Sequence, residues 1–154
     1  MSGATSSSVS EGLLLPAIDE DSAPFWEGCL LGELRVQACA ACGRRRMPPR
    51  PMCPSCRSFE DRWETTSGTG TIWSFVVAHP PLLPAYAQQA PYNVVVVSLD
   101  DDPSIRLVGN LVIGPGHPLG EIDPATIRIG EPVRVIFDRV ADDVALPRWV
   151  RAGD

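Results

Sequence analysis

The 154-residue chain contains no lysine, and all 13 of its basic residues are arginines. This absence excludes Schiff-base chemistry and a lysine general base. Histidine is nearly as scarce: His79 and His117 each precede a proline in a predicted loop. The chain also lacks the glycine-rich phosphate loops, G-x-S-x-G turns and H-E-x-x-H helices that carry common catalytic sites. We therefore expect no catalytic residues in this chain.

Long apolar runs are missing as well. With 44% hydrophobic and 21% charged residues, the composition is typical of a soluble globular domain. No run approaches the roughly 18–20 apolar residues of a membrane span. The opening MSGATSSSVS lacks the charged and apolar regions of a signal peptide. We expect residues 1–21 to be a flexible tail on a cytoplasmic protein that has no membrane partner.

The charge balance limits the classes of partner. Acidic residues outnumber basic ones by 19 to 13, and the formal net charge is −6. A positive field over the whole surface, as nucleic-acid binders use, is therefore absent. One local basic patch remains, formed by Arg44, Arg45, Arg46 and Arg50.

Four of the five cysteines lie within the eighteen residues CAACGRRRMPPRPMCPSC. Cys39 and Cys42 form one C-x-x-C pair, and Cys53 and Cys56 form a second pair after ten intervening residues. Two such pairs supply the four thiolates that structural zinc prefers. A redox C-x-x-C is the alternative, but redox motifs occur singly beside a βαβ unit. We predict a zinc ribbon over residues 34–60 with structural Zn²⁺, in an all-sulfur site that also accepts iron.

A short helix is predicted before the ribbon, over residues 22–33, with Ser22 as its N-cap. It carries an apolar face that includes Phe25, Trp26 and Leu30. Such a face packs either on the body of its own chain or against a partner protein. The sequence leaves both interpretations open.

The pattern after the ribbon is β throughout. Five β-prone stretches lie at residues 68–79, 92–99, 105–114, 132–140 and 145–150. Gly109, inside the third stretch, predicts a bulge or a sharp coil there. The expected fold is mainly β, with the N-terminal helix and zinc ribbon followed by a five-stranded OB-fold barrel over residues 61–150. An open sandwich is the alternative.

Six pieces of sequence occur in an order that is typical of one known family. They are FWEG, CAACG, PPRP, CPSC, WETTSGTGTIWSF and LPRW, at residues 25–28, 39–43, 48–51, 53–56, 63–75 and 146–149. In this order they resemble the acyl-CoA-associated zinc-ribbon/OB-fold family, long catalogued as a domain of unknown function. The resemblance extends over residues 23–150. Members of that family form complexes with thiolase-fold enzymes, among them acyltransferases and retro-aldolases that shorten steroid side chains, and similar domains accompany enoyl-CoA hydratase-like subunits.

The resemblance implies a non-catalytic subunit of such an enzyme, possessing structural zinc. The thiolase-fold subunit would carry the reactive residues, and this chain would support it and help form its acyl-CoA channel. A hetero-oligomer of two plus two subunits is implied in the same way. Phe25, Trp26 and Leu30 are then predicted to contact the enzyme subunit, because aromatic anchors usually carry most of the energy of an interface.

The same resemblance suggests what the basic patch binds. Coenzyme A carries a 3′-phosphate and a pyrophosphate, and arginine matches phosphate oxygens. Arg44, Arg45, Arg46 and Arg50 are therefore predicted to meet those phosphates or acids on the partner, with a solvated charged turn as the alternative. Two other functions stay open: a single-stranded nucleic-acid-binding zinc-ribbon/OB protein, and an acyl-CoA-binding module with weak activity of its own. The excess of acid after the ribbon disfavours the nucleic-acid function.

Overall fold

The structure of the protein is a computed structural model that describes residues 12–153, so the predicted tail at residues 1–21 lies partly outside the described residues. The helices and strands of the described part are α1 (Ala23–Leu31), β1 (Arg35–Cys39), β2 (Arg45–Arg46), β3 (Asp61–Thr65), β4 (Thr69–Ala78), α2 (Pro84–Ala87), β5 (Tyr92–Leu99), β6 (Arg106–Gly109), β7 (Pro132–Ala141) and β8 (Val144–Arg151). Between β6 and β7 the connection holds a single 3₁₀ turn, Pro124–Thr126. The predicted mainly β class is confirmed. Within residues 12–153, no helix has the length and apolar character that crossing a membrane requires.

The ribbon is built on a small antiparallel sheet with strand order β2-β1-β3. Its central strand β1 ends at Cys39. Buried Gln37, on the same strand, forms hydrogen bonds to β3 and to the segment between the two cysteine pairs. The Gln37 side chain donates to Asp61 at 2.5 Å and accepts the Arg50 amide at 2.8 Å. Because β3 pairs with β1 as far as Thr65, the sheet continues past residue 60. The domain boundaries drawn from the sequence stay a prediction.

The five β-prone stretches form one curled antiparallel sheet with strand order β6-β5-β4-β7-β8, the expected OB-type barrel. Strand β5 alternates strictly, so that Val95 and Val97 are fully buried while Val94 and Val96 are half-buried. A register shift in β4 between Ile72 and Ser74 supplies the local bend that lets a sheet curl.

At Gly109, where the sequence predicts a bulge or a sharp coil, β6 ends instead of continuing through the residue. A Cβ atom at Gly109 would lie 3.0 Å from Cδ1 of Trp149, so glycine permits the indole ring to pack against the backbone. Two residues later Leu111 forms a parallel bridge to Trp149. The segment that follows β6 therefore meets the outer strand β8, and the curled sheet closes at this point.

Buried Asn93 joins the strands where β6 has ended. Its side-chain amide donates to the Leu111 carbonyl at 2.9 Å, and its Oδ1 accepts the Leu111 amide at 2.7 Å. A side chain thus pairs with the backbone as a neighbouring strand would, and both buried polar groups are satisfied.

Helix α1 packs on the barrel, with Phe25 and Cys29 in the same core as Trp149. Ser22 occupies the N-cap position, but the predicted side-chain cap is wrong because the Ser22 hydroxyl accepts the amide of Asp19 instead, at 3.2 Å. The helix ends at Gly32, which has a φ of 78°. The closing Gly32 and Glu33 amides bond to carbonyls of the last turn, the arrangement in which glycine is preferred.

Candidate metal centre and the surfaces around it

Two tight turns bring four sulfur atoms to one point in the ribbon. The Sγ atoms of Cys39 and Cys56 are 3.5 Å apart, those of Cys42 and Cys53 are 3.7 Å apart, and all four lie within 4.8 Å of one another. Cys39 and Cys53 are fully buried, whereas Cys42 and Cys56 are exposed. The structure therefore brings together the four cysteines that the sequence predicted as one site.

The turns share the same hydrogen-bond frame, although their sequences differ. In the first knuckle, residues 39–44, the Cys39 amide donates to the Arg44 carbonyl and the Gly43 amide donates to the Cys39 carbonyl, each at 2.9 Å. In the second knuckle, residues 53–58, the Cys53 amide donates to the Ser58 carbonyl and the Arg57 amide to the Cys53 carbonyl, again at 2.9 Å. Both frames require a left-handed residue after the second cysteine. This residue is Gly43 (φ 80°) in the first knuckle and Arg57 (φ 66°) in the second.

Backbone amides lower the pKa of the first cysteine in each knuckle. The Cys42 amide donates to Cys39 Sγ at 3.4 Å and lowers the pKa of Cys39 to about 6, and the Cys56 amide lowers the pKa of Cys53. For Cys56 the Ser58 amide acts in the same direction, but the crowded sulfurs, Cys39 first among them, outweigh it and raise the pKa to about 11. Four thiolates this close repel one another, and a dication among them removes that repulsion.

The donor set fits tetrahedral zinc. A Zn–S distance of about 2.3 Å places tetrahedral sulfurs about 3.8 Å apart, close to the two cross-knuckle separations. Zinc bound by Cys39, Cys42, Cys53 and Cys56 has no open coordination position, so its chemistry is structural: it cross-links the two knuckles. The fifth cysteine is separate from this set. Cys29 is buried in the core, and burial raises its pKa to about 12. It therefore stays a neutral thiol and packs as a small hydrophobic side chain.

The residues predicted for partner contact are divided between core and surface. Phe25 is only 8% exposed and belongs to the core of this chain, so it offers little surface to a partner. Trp26 is half-buried beside it, while Leu30 is 38% and Leu31 69% exposed. Partner contact by Phe25, Trp26 and Leu30 stays a prediction, and the surface for it is at Trp26 and Leu30.

The four arginines of the basic patch line one cavity of about 190 Å³, together with Met47, Pro48, Pro54, Ser104 and Ile105. Arg45 lies 3.4 Å from a Glu64 oxygen and 3.6 Å from an Asp102 oxygen. Arg44 is exposed and contacts the Ser55 hydroxyl of the second knuckle. Arg50 is exposed, with its backbone amide fixed by Gln37. The four arginines thus line one cavity but have different surroundings, and their contact with a phosphate or a partner stays a prediction.

Arg46 is the buried member of the patch, with 6% exposure. Its Nη2 donates to the Arg50 carbonyl at 2.9 Å. Its Nε and Nη1 are buried and have no hydrogen-bond partner among the described residues. Adjacent arginines in a sequence give no sign of which one will be buried, so the sequence could not identify Arg46.

An apolar cavity of about 400 Å³ lies between α1 and the barrel, and sequence reasoning missed it. Its walls include Phe25, Trp26, Tyr86, Leu107 and Trp149. One polar side chain among its walls is Arg148, which is 8% exposed and whose pKa is lowered by burial. The Arg148 guanidinium donates to Asn110 at 2.5 Å, and its Nε lies 3.9 Å from Asp138. No local motif signals this cavity, because its walls come from distant parts of the chain.

Two family models match consecutive parts of the chain. The model described as "ChsH2, rubredoxin-like zinc ribbon domain" matches residues 26–62, and "ChsH2, C-terminal OB-fold domain" matches residues 63–138. Together they cover the ribbon, with all four cysteines, and most of the barrel.

Two of the relatives are named as hydratase alpha subunits. The chain is 40% identical over 134 residues to a probable enoyl-CoA hydratase alpha subunit of Thermomonospora curvata. It is 33% identical over 139 residues to the 3-oxo-4,17-pregnadiene-20-carboxyl-CoA hydratase alpha subunit of Mycobacterium tuberculosis. These matches cover 86% and 90% of this chain but 38% and 39% of the relatives, so the chain spans about two fifths of their length.

A solved structure matches over nearly its whole length. The chain in the Ltp2-ChsH2(DUF35) aldolase is 38% identical and superimposes with a TM-score of 0.76, covering 90% of this chain and 99% of that one. The zinc-ribbon and OB-fold family models agree with this match. The chain therefore belongs to the DUF35 family, as a ChsH2-type protein made of a rubredoxin-like zinc ribbon and an OB-fold domain.

Proposed function

We propose that this chain is the non-catalytic zinc-ribbon/OB-fold subunit of a thiolase-fold enzyme that acts on acyl-CoA substrates, including steroid or other lipid side chains. The observation that carries the proposal is the 38% identity to the ChsH2(DUF35) chain of an aldolase, over 99% of that chain. The hydratase alpha subunits among the relatives support a place in acyl-CoA chemistry.

The disposition of reactive groups supports a structural role. The metal site is a closed set of four sulfurs, which leaves no position for water or substrate. His117 contacts Glu121 at 2.7 Å in an exposed loop, and His79 is exposed at the end of β4. Neither histidine is among the wall residues of the cavities described above. Catalytic groups would then come from the partner enzyme.

The surface beside α1 supports contact with that partner. Leu30 and Leu31 lie exposed at the end of the helix, and Trp26 is half-buried next to them. Trp26 is an aromatic side chain of the type that contributes most of the energy in protein interfaces, and the exposed leucines extend the apolar surface beside it. We place the enzyme subunit against this end of α1.

The cavities beside α1 support a contribution to the acyl channel. A second cavity, of about 560 Å³, shares Phe25, Trp26, Leu107 and Val108 with the apolar one. Apolar sites of this size hold molecules with the bulk of an acyl chain or a ring system. We propose that the lipid portion of the substrate passes along this face.

Capture of the tagged chain from its host tests the proposal, with bound proteins identified and zinc quantified. We expect a thiolase-fold enzyme in the captured material and about one zinc per chain. Mass measurement of the purified complex then gives the stoichiometry, for which we expect two plus two. Recovery of nucleic acid without an enzyme would contradict the proposal and would favour the strand-binding alternative.

A matched pair of variants tests the position of the contact. Leu30→Asp places a charge at the proposed interface, and we expect at least about tenfold weaker capture of the enzyme. Ile129→Asp is the control, because Ile129 is 66% exposed but lies outside α1 and the cavity walls. Equal capture by both variants would move the interface away from α1.

A further inference from the structure

We propose that the cavity formed by Arg44, Arg45, Arg46 and Arg50 is a phosphate-binding site in which buried Arg46 is the principal donor. The carrier of the phosphate is a coenzyme A thioester, and this identity rests on the proposed function. The site itself rests on the contacts of Arg46.

Arg46 is a buried cation whose hydrogen-bonding capacity is mostly unused. Of its donor atoms, Nη2 reaches the Arg50 carbonyl, while Nε and Nη1 are buried without a partner in the described part of the chain. Leaving charged donors unpaired in the interior is costly, and it is uncommon unless a ligand or an ion completes them. Arg46 is a wall residue of the cavity, so a ligand of Arg46 has space there.

The charges around the cavity favour an anion. Arg45 is balanced by Glu64 and Asp102. No such acid lies within ion-pair distance of Arg44, Arg46 or Arg50 among the described residues, although the molecule as a whole is acidic. Four thiolates around a bound zinc ion would also carry negative charge, but no hydrogen bond joins Arg46 to a cysteine sulfur among the described residues.

The shape of the site favours phosphate over a partner's carboxylate. Several guanidinium groups surround the cavity, and a tetrahedral dianion offers acceptors to donors that arrive from different directions. A carboxylate offers two oxygens in one plane and one charge. The volume of about 190 Å³ also holds more than a carboxylate alone.

The site is held rigid by the same features that form the metal centre. Arg46 lies on β2 and pairs with Gln37 of β1, and Gln37 in turn fixes the Arg50 backbone. Arg44 contacts Ser55 of the second knuckle. A phosphate would therefore enter a preorganised site and would not have to order these side chains on binding.

Calorimetric titration of the zinc-loaded full chain with coenzyme A tests the proposal, with pantetheine as the probe that lacks phosphate. We expect coenzyme A to bind at least about tenfold more tightly than pantetheine, with an affinity that falls as salt increases. Dephospho-coenzyme A then assigns the phosphate: weaker binding indicates the 3′-phosphate, and equal binding indicates the pyrophosphate. Equal binding of coenzyme A and pantetheine overturns the proposal, as does no binding of coenzyme A or inorganic phosphate at millimolar concentration.

The variant Arg46→Met provides the second measurement. Its control is Arg134→Met, at an exposed position of β7. We expect Arg46→Met to weaken coenzyme A binding about 10- to 100-fold and Arg134→Met to leave it unchanged. The melting temperature of Arg46→Met should stay equal or rise, because a buried unpaired charge has been replaced by an apolar side chain. Unchanged binding by Arg46→Met overturns the proposal.

Enzyme capture by Arg46→Met separates this inference from the proposed function. Full capture together with lost coenzyme A binding supports both. Failure of the wild-type chain to capture an enzyme, with phosphate binding intact, contradicts only the proposed function. Loss of capture by Arg46→Met, with no coenzyme A binding by the wild-type chain, makes a partner carboxylate the occupant and overturns the phosphate site.

Discussion

The two zinc knuckles have the same backbone frame but differ in what holds it. The first knuckle is the turn of a hairpin between β1 and β2, and its left-handed position is Gly43. The second knuckle lies outside any strand, and its left-handed position is Arg57. A residue with a side chain costs about 1–2 kcal/mol in this conformation. The first knuckle is therefore stabilised by the pairing of β1 with β2 and by a glycine at its left-handed position. The second knuckle has neither feature, so we expect it to depend more on the metal.

Removal of zinc should give the largest difference in stability between the two knuckles. With a chelator present, we expect the Cys53 and Arg57 amides to lose protection from hydrogen exchange well before those of Cys39 and Gly43. Structural zinc contributes on the order of 10 kcal/mol to the folding of such sites, and the second knuckle has little else to replace it. Exchange measured by mass spectrometry or NMR with and without chelator checks this.

Barrel amides such as that of Val95 provide the internal control, because the barrel has its own core and should stay protected. Simultaneous loss of protection in both knuckles would show that the hairpin gives the first one no independent stability.

Gly43→Ala should be the next largest effect. A Cβ atom at this position meets only Arg62 Nη2, 3.9 Å away, so the cost is the backbone conformation alone. We expect about 1–2 kcal/mol, which is a roughly 5- to 30-fold loss in zinc affinity. Competition with a metal indicator measures it. An unchanged affinity would mean that the first knuckle tolerates a side chain as the second one does.

Arg57→Gly is the reciprocal change and should act in the opposite direction. It removes the strain of a side chain in the left-handed conformation. Glycine also makes the unfolded chain more flexible, which lowers the free energy of unfolding by about 0.5–1 kcal/mol. We expect a net gain of up to about 1 kcal/mol, read as up to about fivefold tighter zinc binding in the same competition assay. Arg57→Asn should lie between the two, since asparagine tolerates this conformation. Weaker binding by both variants would assign the Arg57 side chain a stabilising contact.

Ser55→Ala should be the smallest effect. It removes the contact between Arg44 of the first knuckle and Ser55 of the second, both of which are exposed. Exposed hydrogen bonds of this kind contribute less than about 0.5 kcal/mol, so zinc affinity should change by less than about threefold. A larger loss would show that this contact, and not the metal alone, aligns the knuckles.

The parts of the molecule that were predictable from sequence are those fixed by short-range spacing. Cys39 and Cys42, and Cys53 and Cys56, are separated by the two residues that a metal knuckle requires, and the β-prone stretches each have a length and composition of their own. The end of α1 at Gly32 is local in the same sense, because its hydrogen bonds lie within the last turn and the two residues after it.

The parts that were not predictable depend on distant contacts. Phe25 is buried because α1 packs against Trp149 of the barrel, more than a hundred residues later. Asn93 closes a gap in the sheet that exists only because β6 ends early. Arg46 differs from Arg44 only in the surroundings that folding gives it. None of these outcomes has a signature in neighbouring residues.

The bridge from Leu111 to Trp149 has a consequence for assembly and solubility. An open sheet exposes unpaired amides and carbonyls along its outer strands, and these can recruit strands from other chains into aggregates. Here the segment that follows β6 meets the outer strand β8, since the Trp149 amide donates to the Asn110 carbonyl and the Val112 amide donates to the Trp149 carbonyl. At this seam another protein cannot add a strand. It must recognise the barrel through side chains, which makes such an association sensitive to single substitutions and reversible in a way that strand exchange is not.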